Sequence, residues 1–446
     1  MYHPLFKQKL WSGDINLFSI RNHQLYAGLR HHIEKFCTER DYELEFENLR
    51  NEYSIAEAKK FIETLNLPKH ITPYDYQVKI FADCVRDERR LVLSPTSSGK
   101  SLMIYMLIRY YMAKTLLVVP SVALVHQMFG DFKDYGFDSD RYCHKIYQSQ
   151  EQTSDKPIVI STWQSIYKNP EEYFSEFQVA MVDEVHTATA KCLKGIMEKM
   201  VDTFYRTGWT GTLDDTITHK LVLEGLFGPV LKEKSTADLI DEGHISPLKI
   251  KMILLKYPSI MSKLLYKATY DDEIDFLTSN AARQRFIRNL AASLEGNTLI
   301  LFRLIDKQGK PLYEDIKGNT SERNIYYVDG SVSGDERNDL RAIIETESNA
   351  IIVASYGTFS TGTNVKRINN IIFASPYKSQ VKVLQSIGRG LRKLEGKTHL
   401  TVYDIGDDLN YNKKQNHTLK HFIIRLKMYI KENFDPKVYK VATKGT

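Results

Sequence analysis

Short apolar runs alternate with helical segments along most of this chain of 446 residues. From Pro68 onward, the runs RLVLS, TLLVV, PIVIST and VAMVD are rich in β-branched residues and are separated by helical stretches. Such runs are typical of strands buried on both faces, as in parallel sheets with right-handed crossovers. The alternation resumes after residue 247 with NTLILF, NIYYVDG, NAIIVAS, NNIIFAS and THLTVYD. The pattern therefore predicts two parallel α/β sheets in tandem.

The length of the chain also exceeds what one ordinary hydrophobic core accommodates, which favours two or three domains. Short mixed elements predict a small α+β module over residues 1–66. The first sheet is expected over 67–240 and the second over 241–446. The polar stretch DEGHISP (241–247) holds a glycine and a proline and is interpreted as the linker between the sheets.

Composition limits the classes of protein that this chain represents. No run of about 18 apolar residues is present, so no membrane span is predicted. The start MYHPLFKQKLWSGD lacks the apolar core of a signal peptide. The four cysteines are scattered without a CxxC pair, which argues against a zinc site and a disulfide framework and fits a reducing cytoplasm. A net charge of +6 permits a polyanionic partner without requiring one.

The stretch LVLSPTSSGKS (91–101) reads as an apolar strand, a loop of small residues and a helix that opens at Lys100. In such a loop the backbone N–H groups surround a phosphate, the lysine reaches the terminal phosphates, and the hydroxyl of Ser101 binds Mg²⁺. The strict motif has glycine where this chain has Ser94. The alternative is a turn that caps a helix. The predicted nucleotide-binding residues are Pro95, Thr96, Ser97, Ser98, Gly99, Lys100 and Ser101.

The run AMVDEVH (180–186) places two adjacent carboxylates at the end of an apolar strand. The carboxyl edge of a parallel sheet is where ligands bind. Asp183 is therefore expected to hold Mg²⁺, and Glu184 to orient and deprotonate the attacking water. A solvated strand end is the alternative interpretation.

The stretch LQSIGRGLRK (384–393) carries Gln385, Arg389 and Arg392 at offsets of four and three, which places them on one face of a predicted helix. Phosphoryl transfer depends on positive charge at the transition state, and an arginine finger accelerates it by about 10³–10⁵. Both arginines are therefore expected to complete a nucleotide site of the first sheet, with Gln385 placing the water. A solvated amphipathic helix is the alternative.

The motifs PTSSGKS, VPSVALVHQ, STWQS, DEVH, TGT, LILFR, SYGTFSTGTNV and QSIGRGLR resemble, in order and spacing, those of superfamily 2 helicases over residues 68–410. Within that superfamily the chain is most similar to phage UvsW-type branched-DNA helicases, including a W-x-G-x-I-x-L segment near the N-terminus. The resemblance implies two tandem RecA-like lobes with a small α+β N-terminal module. One hypothesis is that this module is an accessory domain that binds DNA. It also implies an enzyme that uses ATP and Mg²⁺ to unwind or branch-migrate forks and junctions in recombination, replication and repair.

The same resemblance assigns further roles near the nucleotide. It implies that Gln77 reads adenine, with Tyr74 or Tyr76 stacking nearby, although ordinary packing explains such a Tyr/Gln pair as well. It implies that Gly362 and Asn364 sense the nucleotide from the second lobe. The residues that it implies for coupling hydrolysis to movement are His186, Thr210, Gly211 and Thr212.

Nucleic acid is expected across both lobes, read through its backbone, because small hydroxyls and N–H groups contact phosphates without reading bases. The residues that the resemblance places there are Ser121, Thr162, Trp163, Arg303, Thr358 and Ser360. Trp163 stacks on a base in one interpretation and belongs to the core in the other.

The C-terminal stretch HTLKHFIIRLKMYIKENF predicts a basic helix packed through apolar residues at helical spacing, which are Leu419, Phe422, Ile423, Leu426 and Ile430. The tail from Lys413 carries nine Lys or Arg against two acidic residues. Its polar side is either a solvated face or a DNA-backbone patch.

The overall prediction is an ATP-dependent DNA helicase or translocase that works in the cytoplasm, of the host if the chain is phage-encoded. Three alternatives stay open: a duplex-DNA translocase without net unwinding, an RNA helicase, and an ATP-gated nucleic-acid clamp. An intact Glu184 with Arg389 and Arg392 argues against the clamp, because a clamp has no need of a complete hydrolytic set. The sequence assigns no protein partner.

Overall fold

The computed structural model describes residues 17–46, 52–148, 151–186, 190–213, 217–332, 334–360, 367–376, 379–394 and 397–443. Its contacts divide the chain into two compact units. The first unit comprises Met1–Ser94 and Gly99–Glu233, and the second comprises Pro95–Ser98 and Lys234–Thr446. The three-part division into 1–66, 67–240 and 241–446 stays a prediction.

The first unit begins, in its described part, with a two-stranded antiparallel hairpin of β1 (Phe18–Ser19) and β2 (Gln24–Leu25). A 3₁₀ turn over Ala27–Leu29 leads into the first helix. The W-x-G-x-I-x-L segment lies outside the described residues except for Leu17. The helix over Ile55–Thr64 starts at a capping box, because Ser54 Oγ accepts the N–H of Glu57 at 3.2 Å while the Glu57 carboxylate accepts the N–H of Ser54 at 2.7 Å.

The first unit holds a seven-stranded sheet in the order β5-β6-β4-β7-β8-β3-β9, and every strand pair in it is parallel. The predicted runs RLVLS, TLLVV, PIVIST and VAMVD are four of its strands. The seven strands are β3 (Arg89–Leu93), β4 (Thr115–Val119), β5 (Cys143–Ile146), β6 (Ile158–Thr162), β7 (Val179–Asp183), β8 (Tyr205–Thr210) and β9 (Val230–Leu231).

Helices connect these strands and cover the sheet, so the central strands β4, β6 and β7 are buried along their whole length. The helices of the first unit are α1 (Arg30–Thr38), α2 (Ile55–Thr64), α3 (Asp75–Asp87), α4 (Lys100–Tyr111), α5 (Val122–Asp134), α6 (Ser139–Tyr142), α7 (Trp163–Ile166), α8 (Glu171–Phe174), α9 (Ala190–Lys199) and α10 (Ile217–Phe227).

The second unit holds another seven-stranded parallel sheet, in the order β12-β13-β11-β14-β15-β10-β16. All five predicted runs of this region form strands. The seven strands are β10 (Leu248–Lys256), β11 (Thr298–Phe302), β12 (Ile325–Val328), β13 (Ile351–Ser355), β14 (Asn370–Phe373), β15 (Leu400–Asp408) and β16 (Pro436–Ala442). The predicted fold class of two parallel α/β sheets is therefore confirmed.

A π-helical turn over Ile305–Gly309 follows β11 and runs into the next helix. In the described ranges, no helix of the chain is both long and apolar enough to cross a membrane. The helices of the second unit are α11 (Thr236–Asp241), α12 (Ser259–Leu264), α13 (Tyr270–Ser279), α14 (Ala281–Ser293), α15 (Lys310–Asn319), α16 (Gly334–Thr346), α17 (Tyr356–Ser360), α18 (Gln380–Gly390) and α19 (His417–Lys431).

Strand β15 carries two fully buried carboxylates that sequence reasoning did not single out. Asp407 accepts hydrogen bonds from Arg283 Nε at 2.9 Å and from the hydroxyl of Tyr257 at 2.8 Å. Asp404 accepts from Arg425 Nη2 at 2.6 Å and from the hydroxyl of Tyr429 at 2.8 Å. Each buried carboxylate thus has a positively charged partner and a hydroxyl donor, and these contacts compensate for its loss of hydration.

The pair between Arg425 and Asp404 also sets which face of α19 is buried. The predicted residues Leu419 and Phe422 are buried, but Ile430 is 59% exposed, so its assignment to the packed face was wrong. The helix turns Arg425 inward instead, because only that rotation brings its guanidinium to the carboxylate of Asp404 on β15.

We expect Asp407→Ala to lower the free energy of unfolding of the second unit by about 3–5 kcal/mol, because it leaves the buried guanidinium of Arg283 without a counter-charge. The matched control is Asp275→Ala, which removes an exposed ion pair with Lys307 (2.6 Å) and is expected to cost about 0–1 kcal/mol. Urea unfolding followed by circular dichroism measures both. Equal losses for the two variants would contradict the role given to the buried pair.

Candidate active site

Three neighbouring strands of the first unit end at the same edge of its sheet. In the order β7-β8-β3, Asp183 is paired with Trp209, and Leu93 with Thr210. The backbone N–H of Ser94 donates to the carbonyl of Thr210 at 2.9 Å, which fixes the start of the loop after β3. The sheet therefore brings Asp183, Thr210 and Ser94, which precedes the PTSSGKS motif, together at its carboxyl edge.

Lys100 lies at this edge as the first residue of α4. Its ammonium donates to the carbonyl of Ser94 at 3.3 Å and lies 3.7 Å from Glu184 Oε1. The next residue, Ser101, has its hydroxyl 2.8 Å from the hydroxyl of Tyr135. The lysine, the glutamate and the serine hydroxyl that sequence reasoning placed in one site are thus held by specific contacts at one edge.

Gly99 is required by two features of this loop. Its φ is +79°, a conformation that L side chains rarely adopt, and a Cβ at this position would lie 2.3 Å from Nε2 of Gln77. Gln77 itself is buried, and its Oε1 accepts the N–H of Tyr74 at 2.9 Å at the start of α3. Gln77 therefore lies between the start of α3 and Gly99 of the PTSSGKS motif.

The remaining loop residues, Pro95–Ser98, are grouped with the second unit. Within this segment, the hydroxyl of Ser98 donates to the carbonyl of Pro95 at 2.7 Å. Ser97 has a φ of +69°, which is rare for a residue with a side chain. The segment is thus a tight turn.

The two adjacent carboxylates differ in their surroundings. Asp183 is buried, and its Oδ1 accepts the N–H of Glu184 at 2.9 Å. Glu184 has a φ of +50°, and such strained backbone in a non-glycine residue is concentrated at functional sites. This conformation directs Glu184 to Lys100 and to His186, whose Nδ1 lies 3.4 Å from Glu184 Oε2.

His186 links this pair to the end of β8. Its Nδ1 lies 2.6 Å from Oγ1 of Thr210, and that oxygen also lies 2.8 Å from the carbonyl of Thr212 across Gly211. Burial lowers the pKa of His186, although the Glu184 carboxylate opposes the shift. The imidazole is therefore neutral at pH 7, and it contacts both Glu184 and the TGT segment. These contacts fit the coupling role predicted for the four residues, which stays a prediction.

The arginine-bearing segment of the second unit is shorter as a helix than predicted. Helix α18 contains Gln385 and Arg389 but ends at Gly390, so Arg392 lies just beyond it and the prediction of three residues on one helix was wrong. The helix ends there because Lys397 Nζ donates to the carbonyls of Gly390 and, at 3.2 Å, of Arg392. Burial lowers the pKa of Lys397 to about 8.

The predicted DNA-contacting residues of the first unit lie at the starts of two helices. Ser121 precedes α5, and its hydroxyl accepts the N–H of Leu124 at 3.4 Å. Thr162 is buried, and its Oγ1 lies 2.9 Å from Oγ of Ser165. Trp163 packs against the hydrophobic core of this unit, which favours the interpretation of this side chain as part of the core.

In the second unit, the corresponding residues lie at the carboxyl edge of its sheet. Arg303 follows β11, and its guanidinium donates to the hydroxyl of Tyr270 at 2.9 Å. Thr358 is buried, with Oγ1 2.8 Å from the hydroxyl of Ser355. Ser360 is the last residue of α17, and only its backbone is described. The predicted nucleotide-sensing residues Gly362 and Asn364 lie outside the described residues.

Sequence reasoning missed three side chains that hold these groups in place. Tyr135 contacts Ser101, Tyr270 contacts Arg303, and Lys397 contacts the backbone around Arg392. Tyr135 is 34 residues from Ser101, and Tyr270 is 33 residues from Arg303. Lys397 is nearer, since it follows Arg392 by five residues. None of the three belongs to a sequence motif, so they are identified from the structure alone.

Comparison with known proteins identifies the family. Residues 70–215 match the family model described as the res subunit of type III restriction enzymes. The ATP-dependent DNA helicase uvsW of Enterobacteria phage T4 is 34% identical to this chain over 461 residues, which cover 97% of this chain and 91% of the relative. The chain belongs to the UvsW family of ATP-dependent DNA helicases. The predicted membership of superfamily 2 and the predicted activity of an ATP-dependent DNA helicase are thereby confirmed.

Two more distant proteins are similar to this chain, one in sequence and one in fold. A DNA 3'-5' translocase XPB2 of Sulfurisphaera tokodaii is 24% identical over 418 residues, covering 86% of this UvsW-family chain and 89% of the relative. The DNA-bound structure of the ATP-dependent type ISP restriction-modification enzyme LlaBIII matches with a TM-score of 0.61 at 16% identity, over 84% of this chain and 32% of that protein. This last likeness concerns the fold.

Proposed function

We propose that this UvsW-family helicase uses ATP hydrolysis to unwind or branch-migrate branched DNA, such as forks and four-way junctions, in the cytoplasm of a phage-infected host. The main support is the cluster of Lys100, Asp183, Glu184 and Thr210 at one sheet edge, which contains the groups that ATP hydrolysis requires. Recombination, replication and repair are the processes in which such substrates arise.

The residues of the PTSSGKS and DEVH motifs suit ATP with Mg²⁺. Mg²⁺ prefers hard oxygen ligands, and the hydroxyl of Ser101 and the carboxylate of Asp183 are of that type. Lys100 would neutralise the terminal phosphates, and the N–H groups of Pro95–Gly99 other than that of the proline would hold them. When bound, Mg²⁺ supplies charge neutralisation of the phosphates.

Glu184 is the residue that we assign to water activation. Its carboxylate is held between the ammonium of Lys100, at 3.7 Å, and the imidazole of His186, at 3.4 Å. Because Lys100 and His186 fix its orientation, it can accept a proton from a water placed against the terminal phosphate. Gln77 would contact adenine from the start of α3. His186 contacts both Glu184 and Thr210, so it would transmit a change in the contacts of Glu184 to the TGT segment.

The second unit supplies positive charge to the transition state in this proposal. Arg389 and Arg392 act on the transferred phosphoryl group, and Gln385 positions water. Lys397 donates to the carbonyls of Gly390 and Arg392, which supports the backbone at Arg392. Gly362 and Asn364 would report nucleotide occupancy within this unit.

The DNA contacts that we propose use the sugar-phosphate backbone and are independent of sequence. Ser121, Thr162 and Arg303 would donate to phosphates, together with the backbone N–H groups near Thr358 and Ser360. Trp163 contributes through packing, because it lies against the core of the first unit.

Measuring DNA-stimulated ATP hydrolysis and strand separation on matched single-stranded, duplex, forked and four-way DNA, with RNA as control, tests the proposal. We expect forked and four-way DNA to give the largest values of both, because the proposed substrate is a branch. Hydrolysis on duplex DNA without strand separation on any substrate would instead indicate a translocase. Strand separation confined to RNA would indicate an RNA helicase.

A further inference from the structure

The N-terminal elements of the first unit pack closely against helix α10. Gly28 lies so near α10 that a Cβ there would be 2.0 Å from the carbonyl oxygen of Glu224. Tyr26 packs on Gly225, and its hydroxyl donates to the carboxylate of Glu198 on α9. Because of these contacts, α1, which follows directly, presents its first residues to the side of α10.

Two histidines of α1 and one glutamate of α10 form a cluster at this junction. His31, His32 and Glu224 each offer a ligand atom, and these atoms all lie within 4.8 Å of one another. Glu224 is buried, whereas His31 is half-buried and the side chain of His32 is 44% exposed. The cluster is therefore reachable from solvent and has a buried carboxylate at its base.

The hydrogen bond of His31 leaves one of its ring nitrogen atoms ready to bind a metal, whereas Nε2 of His32 donates to Glu224 and gives up that proton when it binds a metal. Nδ1 of His31 lies 3.1 Å from the carbonyl oxygen of Gly28 and must carry its proton to bond there, so Nε2 keeps the lone pair. A ligating histidine typically donates its other N–H to a carbonyl or carboxylate in this way. Nε2 of His32 lies 3.0 Å from Glu224 Oε2.

The distances match the requirements of a small transition-metal ion. With bonds of about 2.0–2.1 Å in a tetrahedral arrangement, two ligand atoms are separated by about 3.3 Å. The contact of 3.0 Å between His32 and Glu224 needs to open only slightly to reach that value. The other ligand distances, which are at most 4.8 Å, need to close by no more than about 1.5 Å, within the reach of side-chain rotation.

We propose that His31, His32 and Glu224 bind one divalent transition-metal ion, Zn²⁺ by preference, with water completing the coordination. Two imidazoles and a carboxylate are the ligands that Zn²⁺ accepts, whereas Mg²⁺ prefers oxygen ligands alone. Since α1 contacts α10 through packing and through the pair of His32 and Glu224, the bound ion strengthens the attachment of the N-terminal elements to the first unit. The expectation from scattered cysteines that argued against a zinc site did not cover such a set, because Glu224 lies 192 residues beyond His32.

The test uses the full chain, stripped with EDTA and dialysed, and titrated with Zn²⁺ against a chromophoric chelator. We expect one Zn²⁺ per chain at this site, a rise in melting temperature when Zn²⁺ is added, and no competition from Mg²⁺. His31→Gln and His32→Gln should each weaken Zn²⁺ binding by about 10-fold or more and remove the rise in melting temperature. Lys220→Gln should strengthen binding, because Lys220 Nζ lies 3.7 Å from Glu224 Oε1 and repels a cation.

The matched control is His244→Gln. His244 Nε2 lies 3.2 Å from Glu242 Oε2, so it forms the same kind of His–Glu contact, but in the described part of the chain it belongs to no group of three ligating side chains. This variant should bind Zn²⁺ as the wild type does. The proposal is overturned if His31→Gln and His32→Gln bind Zn²⁺ like the wild type, or if His244→Gln loses as much. Both histidine variants replace accessible side chains, so a melt without metal verifies that they are folded.

Discussion

Replacing both Arg389 and Arg392 with alanine is expected to lower DNA-stimulated ATP hydrolysis by about 10³ or more, while ATP affinity stays within a few-fold. The proposed role explains the separation of the two effects. The adenine and phosphate contacts assigned to Gln77 and the PTSSGKS loop hold the ground state, whereas the arginines act on charge that develops only in the transition state. Steady-state hydrolysis and binding of a fluorescent ATP analogue measure the two quantities.

Further variants test whether the loss of ATP hydrolysis is specific to these two guanidinium groups. Arg392→Lys should recover only part of the activity, because an ammonium does not reproduce the planar fork of a guanidinium. The double replacement should cost less than the sum of the single ones, as expected for members of one catalytic unit. Lys393→Ala, at the neighbouring exposed position, is the control and should hydrolyse ATP normally. A folded double variant with wild-type hydrolysis would show that the two arginines, of which Arg389 is buried, have no part in catalysis.

Glu184→Gln is expected to bind ATP as the wild type does and to reduce hydrolysis by about 10²–10⁴, the range that general base catalysis contributes. The amide keeps the size of the side chain and its neighbours Lys100, at 3.7 Å, and His186, at 3.4 Å, but it cannot accept the proton of the attacking water. Single-turnover hydrolysis with pre-bound ATP isolates this step from binding and product release.

The control for Glu184→Gln is Glu176→Gln, which makes the same change at a carboxylate that is paired with Lys114 and is 40% exposed. It should leave hydrolysis unchanged. Ordinary turnover by Glu184→Gln would mean that the strained residue after β7 has another role. Loss of ATP binding in this variant would move its role from water activation to nucleotide binding.

The strands of both sheets were predictable because their apolar runs are local signals. Each of the predicted runs, from RLVLS to THLTVYD, forms a strand, since a parallel strand is buried on both faces and is therefore apolar along its length. The position of Lys100 and Asp183 at one sheet edge followed from the same pattern, because Asp183 ends such a run and Lys100 opens the helix after the loop that follows another. These features were predictable because the residues that determine them are neighbours in the sequence.

Features that depend on distant contacts were not predictable. Ile430 fits the apolar spacing of α19, but the charge of Asp404 on β15 determines which face turns inward. The end of α18 at Gly390 depends on Lys397, whose ammonium captures the last carbonyls. The contact of Ser101 with Tyr135 and that of Arg303 with Tyr270 likewise join residues about 30 positions apart. No periodicity or motif reports such pairings.

The most direct test of the account is strand separation on one forked DNA, with ATP, with a non-hydrolysable ATP analogue, and with ATP and the Arg389→Ala, Arg392→Ala variant. The account predicts separation only by the wild type with ATP, at a rate that follows hydrolysis measured in the same reaction. Separation with the analogue, or by a variant that no longer hydrolyses ATP, would contradict the claim that hydrolysis by these two units drives unwinding.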